Sequence, residues 1–102
     1  SDPFYGAKTV IVVFSNSESH TCVEDGSLIM GNLMNAAHSL GVCSCWIHRA
    51  KEVFEFEEGK KLKQKWGIPE SCVGIGHCII GYTDDAIKQA ADRKSDYVVY
   101  SE

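Results

Sequence analysis

The sequence has no apolar run longer than Val10 to Phe14 among its 102 residues, whereas a membrane-spanning helix needs roughly 20. It has no charged-then-apolar export signal at its start. It also lacks a basic stripe, since ten lysines and arginines stand against 14 aspartates and glutamates. A nucleic-acid partner is therefore not indicated, and we expect a cytoplasmic protein with no membrane partner.

Several motifs that carry catalysis or bind metal are also missing. There is no Cys-x-x-Cys pair, no G-x-S-x-G elbow, and no third glycine to complete a dinucleotide fingerprint around Gly74 and Gly76. These absences argue against a structural zinc site, a dithiol oxidoreductase, a hydrolase of that class and a Rossmann fold. The two glycines lie inside a predicted strand, where we expect them to let a helix or a ligand approach the sheet.

Thiols and imidazoles are nevertheless frequent. An odd number of cysteines without an export signal is typical of reduced thiols, and we favour small core hydrophobes over metal ligands. Cys43 and Cys45 are predicted to share one strand face, as are Cys72 and Cys78. Cys22, at a helix start, is best placed for a low pKa. The nine candidate soft ligands are His20, Cys22, His38, Cys43, Cys45, His48, Cys72, His77 and Cys78.

The first half of the chain predicts a strand followed by a long helix. "TVIVVF", from Thr9 to Phe14, is continuously apolar and β-branched, which indicates a strand covered on both faces, and we interpret it as a central parallel strand. Thr21 and Glu24 form a capping-box pattern for the helix start. The helix is apolar or small nearly all round, which predicts burial on most sides, and Gly41 ends it.

The second half predicts a strand, a helix, a strand and a tail. "VCSCWI" is followed by "KEVFEFEEGKKLKQKWGIP", a surface helix whose acids come first and whose lysines come last, before Pro69. A third strand runs from about Cys72 to Tyr82, and "DYVVYSE" is a terminal edge strand or arm. This order predicts an α/β fold, a sheet with helices on its faces, in a single domain over residues 1–102.

Four segments together resemble the C-terminal part of the nitroreductase family. They are "FYGAKTVIVVF", "EDGSLIMGNLMNAAHSLGVCSCWIHRA", "KKLKQKWGIPESCVGIGHCIIGY" and "RKSDYVVY". The strongest portion, "NLMNAAHSLGVCSCWI", is similar to the family's N-L-x-x-A-A-x-x-L-G-x-G-x-C-W-I helix and strand. The match runs from Phe4 to Tyr100, with segment order, spacing and several uncommon residues in agreement.

The resemblance implies a three-layer α+β fold that forms a homodimer through long apolar helices and holds FMN at the dimer interface. It also implies a flavoprotein oxidoreductase that passes hydride from NAD(P)H, either NADH or NADPH, to FMN. The reduced flavin then passes hydride to a nitroaromatic, quinone or similar small-molecule acceptor. In such enzymes the redox chemistry belongs to the flavin, and the protein supplies position, electrostatics and exclusion of water.

Carried over by position, the family segment against the flavin ring falls on Trp46, Ile47, His48 and Arg49. His48 replaces a common acidic residue or glycine, and Arg49 replaces a common glycine. For the FMN phosphate the family often has Lys-x-Arg. Arg93 matches the arginine, Ala91 stands in place of the lysine, and Lys94 is a possible substitute.

The family's N-terminal phosphate-binding segment has no counterpart in the chain, so we expect the C-terminal portion of a nitroreductase-like domain, with half of a flavin site. Our leading hypothesis is an FMN-dependent NAD(P)H oxidoreductase. The alternative is a non-catalytic dimerising domain without flavin. A weaker alternative is a Cys/His metal-binding or thiol-sensing module.

Overall fold

The computed structural model describes residues 2–85 and 88–101. In chain order, its regular elements are β1 (Thr9–Asn16), α1 (Cys22–Ser39), β2 (Cys43–Ile47), a 3₁₀ helix (Arg49–Glu55), α2 (Glu57–Lys65) and β3 (Cys72–Gly81). The predicted positions of β1, α1, β2 and β3 are confirmed. No helix within the described ranges is both long and apolar enough to cross a membrane.

The three strands form one sheet in the order β1-β3-β2, and β3 is antiparallel to both of its neighbours. The prediction of a central parallel strand at β1 is therefore wrong, because β3 is the central strand. A continuous apolar run indicates that both faces of a strand are covered, but it carries no information about the direction of the neighbouring strands.

A β-bulge interrupts the pairing of β1 with β3. Val13 lies opposite Gly76 and Phe14 lies opposite Gly74, so Ile75 is an extra residue in β3. An extra residue shifts the alternation of side chains beyond it. Odd-numbered residues before Ile75 and odd-numbered residues after it therefore face opposite sides of the sheet.

Helix α1 covers one face of the sheet. Its buried residues Cys22, Gly26 and Met30 recur every four positions, which is the spacing of one helical stripe. Gly26 allows the close contact, since a Cβ atom there would lie 2.4 Å from Cγ1 of Ile75. The buried cluster under the helix consists of Val13, Cys22, Met30, Ile75 and Cys78.

The other side of α1 remains open, so the predicted burial on most sides is wrong for the chain alone. Val23, Leu28 and Ile29 are 56%, 72% and 50% exposed. The sheet presents one surface to α1, so it can bury only one stripe of the helix.

For α1, the predicted end is confirmed, whereas the predicted cap at its start is wrong. At the start, the Thr21 hydroxyl donates to the Asp25 carboxylate at 3.1 Å rather than capping the backbone, so the capping box is wrong. At the end, Gly41 has φ +75°, and its N–H donates to the His38 carbonyl while the Val42 N–H donates to that of Ala37. This Schellman motif confirms the predicted stop.

The predicted surface helix is two helices that lie on the opposite face of the sheet. Phe56 is extended, with φ −91° and ψ 161°, between the 3₁₀ helix and α2. Gly59 brings α2 so close to the preceding segment that a Cβ atom would lie 2.0 Å from the Val53 carbonyl oxygen. Helices thus lie on both faces of the sheet, and the three-layer α+β fold is confirmed.

The aromatic residues of this second face form a connected cluster. Phe54 is buried, and its ring lies 4.9 Å from Phe14, 5.4 Å from His77 and 6.2 Å from Trp66, measured between centroids. Aromatic pairs at such separations stabilise a fold beyond the area that they bury.

Residues 88–101 carry no regular secondary structure. Of the two predicted alternatives for this stretch, the edge strand is not formed in the described residues, and the arm is the one that agrees with the structure. The apolar residues from Tyr97 to Tyr100 are between 65% and 90% exposed. The radius of gyration, 16.7 Å, exceeds the roughly 13 Å that a compact chain of this length has, which agrees with this extended end.

Candidate functional site

The site predicted at residues 46–49 lies where β2 ends. Trp46 pairs with Cys78 of β3, and Ile47 pairs with His77. His48 then turns the chain into the 3₁₀ helix, with φ −72° and ψ −41°, and its carbonyl accepts a hydrogen bond from the Lys51 N–H at 3.0 Å. A strand end followed at once by a helix start therefore positions the site.

A cavity of about 380 Å³ opens at this junction. Ile47 forms a buried part of its wall, whereas the side chains of His48 and Arg49 are exposed at its mouth. The complete lining is Asp2, Pro3, Tyr5, Cys45, Trp46, Ile47, His48 and Arg49. All four residues predicted from the strand end thus line one cavity.

Trp46 is held against the sheet by a glycine. A Cβ atom at Gly76 would lie 2.5 Å from the indole Nε1, so only glycine leaves room for the ring. A Cβ atom at the neighbouring Gly74 would lie 3.2 Å from Cδ2 of the Phe54 ring. The prediction that these glycines admit a helix is confirmed for Gly74, where the helix is the 3₁₀ helix, while Gly76 admits a side chain of the adjacent strand.

The polar groups at the cavity suit a flat ring with acceptor atoms along one edge. The first N–H groups of any helix have no partner within the helix, and here they belong to His48, Arg49 and their successors. The Arg49 guanidinium adds a permanent positive charge, and Ile47 and Trp46 supply apolar surface. This set of donors, charge and apolar wall fits the polar edge of a flavin ring.

Arg93, the predicted phosphate ligand, lies in the irregular segment after β3. Its guanidinium donates to the Ala91 carbonyl at 2.8 Å, and its side chain is exposed. It does not line the cavity at residues 46–49. The structure therefore brings four of the five predicted site residues together, and the role of Arg93 stays a prediction.

Sequence reasoning did not identify the turn that forms the far wall of the cavity. Asp2 accepts hydrogen bonds from the N–H groups of Phe4 and Gly6, each at 2.8 Å, and Tyr5 has φ +53°. The signal was present, because "DPFYG" has the Asp, Pro and Gly that are typical of turns. No local signal, however, indicated that this turn lies beside residue 46, because that position depends on the pairing of distant strands.

His77 is the second residue whose surroundings the sequence did not indicate. Its side chain is 2% exposed, and its ring lies between Phe4, at 5.1 Å, and Phe54, at 5.4 Å. Burial lowers the pKa of the imidazole, because desolvation disfavours the charged form. Nδ1 has no hydrogen-bond partner among the residues that the structure describes.

All five cysteines are free thiols, but they do not share one environment. Cys22 and Cys78 are buried, as predicted for core residues, and burial, with a smaller effect of Cys45, raises the pKa of the Cys78 thiol. Cys43 and Cys45 share a face as expected, but both are exposed, so their assignment to the core is wrong. The bulge at Ile75 places Cys72 and Cys78 in different alternations, so the prediction of a shared face is wrong.

The metal-binding alternative lacks a ligand cluster in the described part of the chain. Across residues 2–85 and 88–101, no three side chains of the His, Cys, Asp or Glu types lie close enough to hold a metal ion together. Structural zinc sites use four such ligands, and catalytic zinc sites use three. Of the three hypotheses, the metal-binding module therefore has the least support.

Comparison with known proteins identifies the fold. The model of the nitroreductase family matches residues 1–82, and no curated protein matches the chain. Among solved structures, a nitroreductase of Bacteroides fragilis with bound FMN is similar to the chain at 25% identity and a TM-score of 0.81. An FMN-dependent nitroreductase of Clostridium difficile is similar at 28% identity and a TM-score of 0.68.

A nitroreductase of Desulfitobacterium hafniense with bound FMN has a TM-score of 0.78 at 20% identity, which supports the fold alone. The similarity covers 98%, 89% and 98% of this chain in the three comparisons, and 54% of each of the three solved chains. The chain thus spans about half the length of these structural relatives. Since the family model matches more than half of its residues, the chain belongs to the nitroreductase family.

Proposed function

We propose that the chain forms part of an FMN-dependent oxidoreductase, which passes hydride from NAD(P)H through flavin to a nitroaromatic, quinone or similar acceptor. The observation that carries the proposal is the cavity where β2 ends, lined by Trp46, Ile47, His48 and Arg49, in a chain of the nitroreductase family. The FMN of the Bacteroides fragilis structure supports flavin as the cofactor.

Each residue of the cavity has a physical role in this proposal. FMN supplies the two-electron chemistry when it is bound. Trp46 and Ile47 supply an apolar wall that excludes water. The N–H groups at the start of the 3₁₀ helix donate to the acceptor edge of the ring, and the Arg49 guanidinium favours the negative charge that the ring gains on reduction. The His48 imidazole, exposed at the mouth, is placed to donate to a bound acceptor.

Arg93 is proposed as a contact of the FMN phosphate, with Lys94 as a possible helper. Both lie in the segment without regular structure, where Arg93 bonds only to the nearby Ala91 carbonyl among the contacts that the structure describes. A guanidinium with such a local partner can exchange it for a phosphate, with which it forms stronger paired bonds.

Titration of the chain with FMN, followed by flavin fluorescence, tests both assignments. Arg93→Ala should weaken FMN binding roughly 10- to 150-fold, because a hydrogen bond to a charged group contributes about 1.5–3 kcal/mol. Arg49→Ala should weaken the binding of reduced flavin more than that of oxidised flavin. Lys61→Ala, which removes an exposed charge on α2, should change neither.

Failure of residues 1–102 to bind FMN would contradict the flavin assignment for this half of the site and favour the non-catalytic dimerising domain. Equal FMN affinity of the wild type and Arg93→Ala would remove Arg93 from the site. Equal effects of Arg49→Ala on both redox states would remove the charge role of Arg49.

We also propose a homodimer that forms through the open side of α1. The exposed Val23, Leu28 and Ile29 give this helix an apolar surface that the chain itself does not cover, and such surfaces are typical of interfaces. A cytoplasmic location stays a prediction.

A further inference from the structure

The turn of residues 2–7, which walls the candidate flavin cavity, is held together by its own hydrogen bonds. The Asp2 carboxylate accepts from Phe4 and Gly6, and the Ala7 N–H donates to the Phe4 carbonyl at 3.0 Å. Among the described residues, the side-chain and turn hydrogen bonds of this segment all stay within it. Its attachment to the sheet therefore depends on side-chain packing.

Ring packing on His77 supplies that attachment. The Phe4 ring lies 5.1 Å from the imidazole at an interplanar angle of 41°. On the same imidazole, Phe54 of the 3₁₀ helix stacks at 5.4 Å with an angle of 6°. The imidazole thus joins the turn to the helix across the surface of the central strand.

The surroundings of the imidazole favour its neutral form. Val12 and Ile47 are its partners in the adjacent strands, and its Nδ1 is buried without a partner in the described structure. Attraction between a cationic imidazole and the phenyl rings would offset part of the cost of a charge. It would still leave a buried N–H donor unpaired.

No charged group on the packed elements compensates for a proton on His77 through a hydrogen bond in the described part of the chain. The Asp2 carboxylate already binds the backbone of the turn. Burial alone accounts for the lowered pKa of His77. The titratable and charged groups on the packed elements are Asp2, Tyr5, Cys43, Cys45, Arg49, Lys51, Glu52 and Glu55, and Lys8 lies between the turn and β1.

Tyr5, in this turn, lies between two cavities. It lines the cavity at residues 46–49 and also a second cavity, of about 280 Å³, which is lined by Cys43, Cys45 and Ile79. If the turn left the sheet, both cavities would lose the wall that Tyr5 supplies.

We propose that His77 is a pH-sensitive latch, whose neutral imidazole holds Phe4 and the turn of residues 2–7 against the sheet and whose protonation releases them. The latch stands on the packing of the chain itself. Its effect on flavin binding rests on the proposed function, since the turn then closes one wall of the flavin site.

The sign of the effect follows from linkage. An imidazole with an ordinary pKa, about 6.5, in the released turn and a lower pKa in the latched state binds its proton preferentially when the turn is released. The latched state is therefore fully favoured above that pH. Below it, the ratio of released to latched chain rises about tenfold per pH unit, until the pH reaches the lowered pKa of the latched imidazole.

Amide hydrogen exchange measured by NMR between about pH 7.5 and about pH 5 tests the latch without flavin. In the wild-type chain, protection factors at Gly6 and Ala7 should fall by up to tenfold per unit below about pH 6.5, while those in α1 stay constant. The local hydrogen bonds of the turn open readily once its packing on the sheet is lost, because few buried contacts then hold it. The imidazole signals of His77 should titrate together with this loss. His77→Phe should keep the turn protected at every pH, and His38→Gln, an exposed control, should behave as the wild type.

Phe4→Ala provides a second variant that spares the core, and it should leave the turn unprotected at every pH. Protection that does not change with pH in the wild type, or that changes equally in His77→Phe, overturns the latch. FMN titration over the same range adds a separate result, in which the wild type should lose more affinity on acidification than His77→Phe. A chain that binds FMN but keeps its turn protected overturns the latch alone, whereas a chain that releases the turn but binds no FMN overturns only the flavin assignment.

Discussion

The two faces of the sheet are built on different physical principles. Under α1 the core consists of aliphatic and sulfur-containing side chains, and Gly26 lets the helix backbone lie against Ile75. On the opposite face the contacts are between rings, with Phe54 at the centre and the His77 imidazole stacked on it. The first face depends on the volume of its side chains, whereas the second depends on ring orientation and on protonation state.

The largest effect is expected from a methyl group added at Gly59, where α2 lies against the 3₁₀ helix. Gly59→Ala would place Cβ 2.0 Å from the backbone oxygen of Val53, and the backbone can yield only by separating α2 from the 3₁₀ helix. We expect a loss of about 3 kcal/mol in the free energy of unfolding, the upper end for overpacking. Urea denaturation measures it.

Gly31→Ala in α1 is the matched control, since a Cβ atom there meets nothing within 4 Å. It should stabilise the chain by up to about 1 kcal/mol through helix propensity. Equal losses in both variants would contradict the close approach at Gly59.

A smaller effect should separate ring geometry from volume. Phe54→Leu keeps an apolar group but removes three ring contacts, and we expect a loss of about 2 kcal/mol in the free energy of unfolding. Met30→Leu makes a comparable change under α1, where Met30 is fully buried, and should cost less than about 1.5 kcal/mol. Thermal unfolding of both variants tests the comparison, and a larger loss for Met30→Leu would reverse it.

The smallest effect on stability is expected from a substitution on the exposed side of α1, which packs against neither face of the sheet. Leu28 is 72% exposed, so Leu28→Glu should change the unfolding free energy of the monomer by no more than about 0.5 kcal/mol. If this side forms the proposed dimer, the same change should shift the sedimentation coefficient from dimer to monomer.

Gln64→Glu, an exposed change on α2 that adds the same charge, should leave the sedimentation coefficient unaltered. A wild-type chain that sediments as a monomer at every accessible concentration would contradict the dimer.

Local features of the fold could be predicted from the sequence, whereas the relations between segments could not. The end of α1 at Gly41 was predictable because a left-handed residue in a Schellman motif needs glycine. The antiparallel order and the break at Phe56 were not, because they depend on contacts such as that of Gly59 with Val53, which no local pattern encodes.

The same division holds at the candidate site. Trp46 to Arg49 lie together because they are consecutive in the chain, so the family pattern was enough to find them. The opposite wall was missed because Asp2 and Tyr5 lie more than 40 positions away in the sequence. The face on which His77 lies could not be read from alternation along β3, because Ile75 is an extra residue in that count.

Because of that extra residue, the odd- and even-numbered positions of β3 exchange faces of the sheet partway along the strand. The even-numbered Gly74 faces the Phe54 ring on the aromatic side, whereas beyond Ile75 the even-numbered Cys78 points to α1 and the odd-numbered His77 lies on the aromatic side. Without Ile75, Gly74 would still lie opposite Phe14 and Gly76 opposite Val13, so His77 and Cys78 would keep their faces. Helix α1 would instead lose the side chain that packs at Gly26. One inserted position thus adds a core side chain under α1 without changing a strand partner on either side of it.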